Sequence, residues 1–149
     1  MRKPKVGIIM GSKSDAPIME KASDILKEFG VSFDVTVASA HRNPRKVASY
    51  AERAEKNYDL IIAGAGLAAH LPGFIASHTI LPVIGVPIYS KGLSGFDSLY
   101  SIVQMPGGIP VASVGIDNAK NAGILALEIL SLKYPGLKEK LKNFRRKLC

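Results

Sequence analysis

Five short apolar runs rich in valine and isoleucine recur along the chain, and apolar residues return every three or four positions in the segments between them. The runs are "KVGIIM" (5–10), "VSFDVTV" (31–37), "YDLIIAG" (58–64), "PVIGVPI" (82–88) and "VASVGI" (111–116). Runs of this length and composition predict β-strands, whereas the longer period between them predicts helices. The chain is therefore expected to alternate between strands and helices.

The helical segments have recognisable starts and ends. Gly30 is a typical C-terminal stop for the first helix, and Asn43 followed by Pro44 is a typical start for the second. The other helices are predicted over 71–78, 94–105, 118–134 and beyond a break at Pro135-Gly136.

Strands that are apolar throughout belong to a parallel sheet that is covered by helices on both faces. Right-handed crossovers and five strands favour a three-layer α/β sandwich with the flavodoxin-like strand order 2-1-3-4-5. We expect residues 1–149 to form one such domain, with a C-terminal helical extension from about residue 118. In this order the loops after the first three strands open into one crevice, where ligands of such sheets bind.

The net charge of +8 raises the question of nucleic-acid binding. Much of the excess charge lies at the two ends, in "MRKPK" and in "LKEKLKNFRRKL", where lysines alternate with apolar residues at helical spacing. This pattern is more typical of a solvated helix face, and the chain has no Trp to stack on bases. We therefore expect no nucleic-acid partner, although the positive charge would suit a small anionic substrate.

The single cysteine, Cys149, excludes an intrachain disulfide and a cysteine-built metal site. No apolar run approaches the ~20 residues that span a membrane, and the apolar stretch 6–10 is too short for a signal peptide. These features predict a cytoplasmic protein without a membrane partner.

The loop after the first strand, "GSKSDA" (11–16), combines Gly11 with the hydroxyls of Ser12 and Ser14 and with Asp15, which can cap the following helix. A Gly/Ser loop that leads into a helix can bind an anion through backbone N–H groups and the helix dipole. An ordinary turn with an N-cap explains the pattern as well. The Gly-x4-Gly-Lys pattern of a P-loop is absent.

The loop after the second strand carries the candidate chemistry. Ser39 and Ala40 precede His41 and Arg42, and the helix start follows directly. A histidine can give or take a proton near neutral pH, and an arginine presents a rigid fork to phosphate or carboxylate. His41 is therefore a candidate for proton transfer and Arg42 for anion binding, although a lone histidine is more often structural or on the surface.

The loop after the third strand, "AGAGLAAHLPG" (63–73), is rich in small residues that allow a ligand to approach the backbone closely. Residues 64–69 match a relaxed dinucleotide pattern, but they follow the third strand and not the first, so we discount that match. His70 could orient the loop or contact substrate, and the structural role is favoured. His78 is predicted to be packed or exposed without a catalytic role.

The segment 90–111, "SKGLSGFDSLYSIVQMPGGIPV", has too many Gly and Pro residues for a simple crossover, yet it carries a helical apolar stripe. Such a segment could cover the crevice or pack against another subunit. The sequence leaves both possibilities open.

Taken together, "GSKSD", "SAHR-P", "AGAG-AAHLPG", "LSG-DSL-SIVQMP-GIPVA" and "NA-ILA" resemble the class I PurE family, in the expected order, from about residue 5 to 132. The resemblance implies a 5-(carboxyamino)imidazole ribonucleotide mutase of purine biosynthesis, in which a carboxylate moves from the exocyclic amine to ring carbon C4. Decarboxylation would release CO2, which stays trapped until C4 captures it. The resemblance implies no metal, nucleotide cofactor or ATP.

The family motifs also imply roles for particular residues. His41 occupies the position of the general acid and base, and Ser12, Asp15 and Arg42 match substrate-binding positions. The residues expected to line the rest of the substrate site are Gly11, Ser14, Ser39, Ala40, Gly66, Ala68, His70 and Leu71. Family members are usually homo-octamers, which would give segment 90–111 and the basic last helix an interface to cover.

Two alternatives stay open beside the mutase. Class II relatives carboxylate aminoimidazole ribonucleotide with free CO2, but they usually carry lysine after the histidine, so Arg42 favours the mutase. A flavodoxin-like nucleotide-binding module is disfavoured because no aromatic residue lies in the loops after strands two and three. Leu67 replaces a frequent glycine of the family, which leaves the shape of its loop uncertain.

Overall fold

The computed structural model describes residues 2–149, which form a five-stranded parallel sheet with helices on both faces. The strands are β1 Lys5–Met10, β2 Ser32–Val37, β3 Leu60–Gly66, β4 Val83–Ile88 and β5 Ala112–Ser113. The helices are α1 Ala16–Glu28, α2 Pro44–Asn57, α3 Leu71–Ala76, α4 Phe96–Val103, α5 Ala119–Ser131 and α6 Pro135–Arg146, and a 3₁₀ turn over Lys13–Asp15 precedes α1. The strand order is β2-β1-β3-β4-β5, so the predicted fold class and topology are confirmed.

The sheet separates two apolar cores. Alternate residues of β1 point to opposite faces: Ile8 belongs to the core that includes residues of α1, α5 and α6, whereas Ile9 belongs to the core that includes residues of α2, α3 and α4. Because both faces are covered, β1 and β3 are buried except at one end residue each, and β4 is buried along its whole length. This burial explains why the apolar runs predicted strands.

The fifth strand is shorter than the predicted run 111–116. Gly85 faces β5 in the ladder, and its carbonyl accepts a bond of 3.2 Å from the backbone N–H of Val114. The next residue of β4 on that side is Pro87, which has no N–H to donate. The ladder therefore ends, and only the Pro87 carbonyl contributes, by accepting from Asp117 at 2.8 Å.

Two further boundaries differ from the prediction. Residues Pro135 and Gly136 do not break the chain before α6 but form its first turn, where proline needs no N–H partner. Helix α3 ends at Ala76 and not at His78, although the His78 N–H still bonds to the Ile75 carbonyl at 2.9 Å. Within residues 2–149, no helix is long and apolar enough to cross a membrane.

Candidate active site

A crevice of about 740 Å³ lies at the carboxyl edge of the sheet, where β1, β2, β3 and β4 end. All twelve residues that the sequence singled out line it, although their roles stay predictions. They are Gly11, Ser12, Ser14, Asp15, Ser39, Ala40, His41, Arg42, Gly66, Ala68, His70 and Leu71. The strand order brings these residues together, since the three loops that carry them follow neighbouring strands.

The first loop is stabilised by its own side chains. The Ser12 hydroxyl oxygen accepts hydrogen bonds from the backbone N–H and the hydroxyl of Ser14, at 3.3 and 3.0 Å. The Ser12 N–H in turn donates to Asp15 Oδ2 at 3.1 Å, which completes a capping box around the 3₁₀ turn. The hydroxyl proton of Ser12 is thus left to donate into the crevice.

The sequence suggested that the Asp15 side chain caps α1. It does not, because its carboxylate turns back to accept from the Ser12 N–H. Partial burial raises the pKa of Asp15, while the Ser12 N–H and the Arg42 guanidinium oppose that rise. The crevice therefore contains a carboxyl group that holds its proton more tightly than a solvated aspartate does.

The second loop is fixed by bonds at both of its ends. The Ser39 side chain accepts from the Arg42 N–H at 3.2 Å, and the Ser39 carbonyl accepts from the Asn43 N–H at 2.8 Å. Asn43 then caps α2 by accepting from the Lys46 N–H at 3.2 Å, as its position before Pro44 predicts. The backbone of His41 and Arg42 is therefore held in place before any ligand binds.

Arg42 connects the first two loops. Its Nη2 donates to the Gly11 carbonyl at 3.3 Å, which uses only one of its five N–H groups. The guanidinium lies beside the Ser12 loop and lines the crevice, so it remains available to an anionic ligand.

The two histidines of the crevice contact each other. His41 Nε2 lies 2.7 Å from His70 Nδ1, and the rings meet edge to face with centroids 4.8 Å apart. His70 is placed by the turn before α3, where its carbonyl accepts from the Phe74 N–H at 2.8 Å. His78 lies outside the crevice, with its Nδ1 2.9 Å from the Phe74 carbonyl.

Leu67 has a backbone conformation that normally favours glycine. Its φ is 56°, and its side chain is 65% exposed at the rim of the crevice. Leucine in this left-handed region costs about 1–2 kcal/mol relative to ordinary backbone. Next to it, a Cβ added at Gly66 would lie 3.3 Å from the Ile88 carbonyl oxygen, so β3 and β4 are closely apposed here.

Three residues after or at the end of β4, namely Ile88, Tyr89 and Ser90, also line the crevice and were missed from the sequence. The Tyr89 N–H donates to Asp117 Oδ1 at 2.8 Å, and the Ser90 hydroxyl donates to Asp97 Oδ2 at 3.2 Å. The signal was available, because β4 ends at the same edge as β3 and polar residues follow it.

Segment 90–111 forms one wall of a second cavity, of about 620 Å³, behind the histidine pair. Tyr100, Ser101, Gln104 and Met105 line it together with His41 and His70. Along the outside of α4 and just before it runs an apolar stripe whose members are 48–63% exposed: Leu93, Phe96, Tyr100 and Val103. We call these four residues the α4 stripe.

In the part of the chain that the structure describes, no group of three or more His, Cys, Asp or Glu side chains could hold a metal ion. The donors that do converge on the crevice are hydroxyls, a guanidinium and imidazoles. Groups of this kind suit an anionic organic ligand.

The fold defines a flavodoxin-like α/β protein, and its crevice lies at the switch point of the sheet, where ligands of such folds bind. Residues 5–149 match the family model described as AIR carboxylase. An N5-carboxyaminoimidazole ribonucleotide mutase of Pyrococcus horikoshii is 63% identical over 97% of this chain and 82% of its own length, and one of Thermotoga maritima is 58% identical over 97% and 85%. A crystal structure of Treponema denticola PurE superposes with a TM-score of 0.89 at 33% identity and covers 97% of this chain and 91% of that one.

The chain therefore belongs to the AIR carboxylase family, and the predicted membership of the class I PurE family is confirmed.

Proposed function

We propose that the chain is an N5-carboxyaminoimidazole ribonucleotide mutase of purine biosynthesis. The observation that carries this proposal is that the chain is 58–63% identical, over nearly its whole length, to relatives with that name. It is supported by the crevice that Ser12, Arg42 and His41 share. The substrate is then a small ribonucleotide with a phosphate at one end and a labile carboxylate at the other.

The phosphoribosyl end is proposed to lie against the first two loops. Ser12 has a hydroxyl proton to donate, and Arg42 lies beside that loop with most of its N–H groups unused. Asp15 provides an acceptor for a ribose or amine proton. Arg42 is already tied to the Gly11 carbonyl, so little conformational entropy is lost when it binds an anion.

The chemistry requires the transfer of one proton and one carboxylate. The N–C bond of the carbamate breaks, CO2 is released and the amine nitrogen takes a proton; C4 then attacks the CO2 and loses its own proton. We assign both proton transfers to His41, which can give a proton and take one back in the same cycle. The reaction so written needs no metal or cofactor.

The trapped CO2 is proposed to lie against the third loop. Ala65, Gly66 and Ala68 present small, mostly apolar groups to the crevice close to His41. Such a surface binds water weakly, and holding CO2 beside C4 makes its recapture effectively unimolecular.

The second candidate function is a carboxylase that uses free CO2. A phosphoribosylaminoimidazole carboxylase of Saccharomyces cerevisiae is 54% identical over 97% of this chain, which spans 25% of that protein. Against this candidate, the chain has Arg42 after the histidine, where class II carboxylases usually carry lysine.

The deciding experiment supplies the purified protein with carboxyaminoimidazole ribonucleotide and, separately, with aminoimidazole ribonucleotide plus bicarbonate. The mutase predicts rapid conversion of the first substrate and little conversion of the second at low bicarbonate. Preferential use of the second substrate would establish the carboxylase, and conversion of neither would reject both functions.

We also propose that the active form is a homo-octamer, with a second copy of the chain covering the α4 stripe. Four large apolar side chains, three on α4 and Leu93 just before it, are more than a solvated surface normally exposes together. Native mass spectrometry tests the octamer, and a monomer at micromolar concentration would contradict it.

The cytoplasmic location stays a prediction that cell fractionation tests.

A further inference from the structure

The hydrogen bond between the two crevice histidines constrains where each ring keeps its protons. His41 Nε2 and His70 Nδ1 are 2.7 Å apart, so one nitrogen donates an N–H and the other accepts. The two residues are 29 positions apart, on the loops after β2 and before α3. The bond therefore depends on the tertiary structure and not on local sequence.

Each ring is held by a separate backbone anchor. His41 lies inside the turn closed by the Ser39 carbonyl and the Asn43 N–H, and His70 directly precedes α3, where its carbonyl accepts from the Phe74 N–H. Because both backbones are fixed, the contact between the rings orients the side chain of His41 within the crevice.

The proposed proton transfers select one direction for this bond. With Nε2 engaged by His70, the remaining nitrogen of His41 is Nδ1. For Nδ1 to give a proton to the amine and take one from C4, Nε2 must keep its own proton in both states. His70 Nδ1 must then act as the acceptor throughout the cycle.

We propose that His70 is a positioning residue of the reaction: its Nδ1 accepts from His41 Nε2–H, which orients the His41 ring and keeps Nδ1 of His41 as the reacting nitrogen. This role rests on the proposed function. It differs from a contact between His70 and the substrate.

Three substitutions of His70 distinguish the two roles. His70→Asn places the amide oxygen where Nδ1 lies, whereas His70→Gln places it where Nε2 lies, and His70→Ala removes the acceptor. We expect kcat to fall roughly ten- to hundredfold in the Ala and Gln variants, with KM changed less than about threefold, and to stay within about threefold of wild type in the Asn variant.

The opposite pattern would overturn the proposal. If Gln preserves kcat and Asn does not, the reaction depends on Nε2 of His70. If Ala raises KM and leaves kcat unchanged, His70 binds substrate and does not position His41. Circular dichroism and thermal unfolding check that the fold of each variant is intact. If a variant does not fold, the tautomer of His41 in the wild-type protein decides the question, because a wild-type His41 that is not the Nε2–H tautomer would overturn the proposal.

A second measurement does not depend on turnover. The chain has three histidines, so ¹⁵N spectra of histidine-labelled wild-type protein contain three rings, and His78 is the internal reference because it lies outside the crevice and does not contact His70. At about pH 8.5, well above the ordinary histidine pKa of ~6.5, we expect His41 to be entirely the Nε2–H tautomer in wild type. In His70→Ala it should become a mixture of tautomers.

A His41 spectrum that is the same in wild type and in His70→Ala would overturn the proposal even if the protein is an active mutase. Conversely, an inactive wild type with the expected tautomer shift would reject the proposed function and keep the positioning contact.

Discussion

The two faces of the sheet differ in how completely they are covered. On one face, α1, α5 and α6 bury a continuous core that includes Leu26 and Leu127. On the other face, α2, α3 and α4 bury a smaller core, and the α4 stripe stays exposed beside the histidine pair and the second cavity. The comparison teaches that stability and chemistry are largely separated, so substitutions on the two faces should have different consequences.

The largest effect is expected for His41→Asn, on the side of the sheet that α2, α3 and α4 cover less completely. Loss of the proton-transfer group should lower kcat by about 10²–10⁴-fold and leave thermal stability and substrate affinity nearly unchanged. Steady-state kinetics and isothermal titration check this. His78→Asn is the matched control. A His41 variant with wild-type turnover would contradict the claim that the chemistry depends on this side of the sheet.

A loss of stability without a loss of activity is expected for Leu127→Ala, on the face covered by α1, α5 and α6. Leu127 is fully buried in α5, so its truncation should lower the free energy of unfolding by about 2–5 kcal/mol. At a temperature where the variant is folded, activity should match wild type. Leu132→Ala, just past the same helix and 88% exposed, is the control and should change stability by less than about 0.5 kcal/mol.

A smaller effect on binding is expected for Arg42→Ala. Removal of a charge-assisted bond worth about 1.5–3 kcal/mol should raise KM roughly ten- to hundredfold, with a minor change in kcat. Arg42→Lys keeps the charge but loses the forked guanidinium, so its KM should lie between those of wild type and Arg42→Ala. A loss of kcat at unchanged KM would show that Arg42 acts on the transition state and not as an anchor.

Asp15 gives a prediction for pH dependence. Burial raises its pKa, so the folded protein holds this proton more tightly than the unfolded chain. The resulting stabilisation is present below the unfolded pKa and is lost as pH rises through the folded pKa. Asp15→Asn should therefore be more stable than wild type at neutral pH, and the difference should vanish in acid. Denaturant unfolding at several pH values tests this, and a gain that grows in acid would contradict it.

The smallest effect concerns Tyr50, whose hydroxyl is buried against Gly7 and has no hydrogen-bond partner among residues 2–149. Tyr50→Phe should stabilise the protein by about 1 kcal/mol because an unsatisfied hydroxyl is removed. Tyr58→Phe is the control, since it loses a 3.0 Å bond to Asp34 and should be neutral or destabilising. Chemical denaturation of both variants provides the comparison.

The parts of the fold that depend on local pattern could be predicted from the sequence. The valine- and isoleucine-rich runs predicted the strands, and the Asn43-Pro44 pair predicted the start of α2. The length of β5 could not be predicted from its own residues, because Pro87 on the neighbouring strand ends the ladder. Sequence periodicity contains no information about which residue lies opposite such a proline.

The same division holds for the site: its position could be predicted from local pattern, but the contacts made by distant residues could not. Residues next to strand ends were found because parallel strands place those ends at one edge. The bond between His41 and His70 depends on ring orientation and on how two loops, 29 positions apart in the sequence, are held against each other. Pattern and spacing do not specify those.

The central claim is that the carboxylate moves within one bound substrate while His41 transfers the proton. The most direct test is to supply substrate with a ¹³C-labelled carboxylate in unlabelled bicarbonate buffer and to measure the label in the product at early conversion. We predict nearly complete retention of ¹³C at the C4 carboxylate. Exchange of the label to the level of the bicarbonate pool would contradict the account.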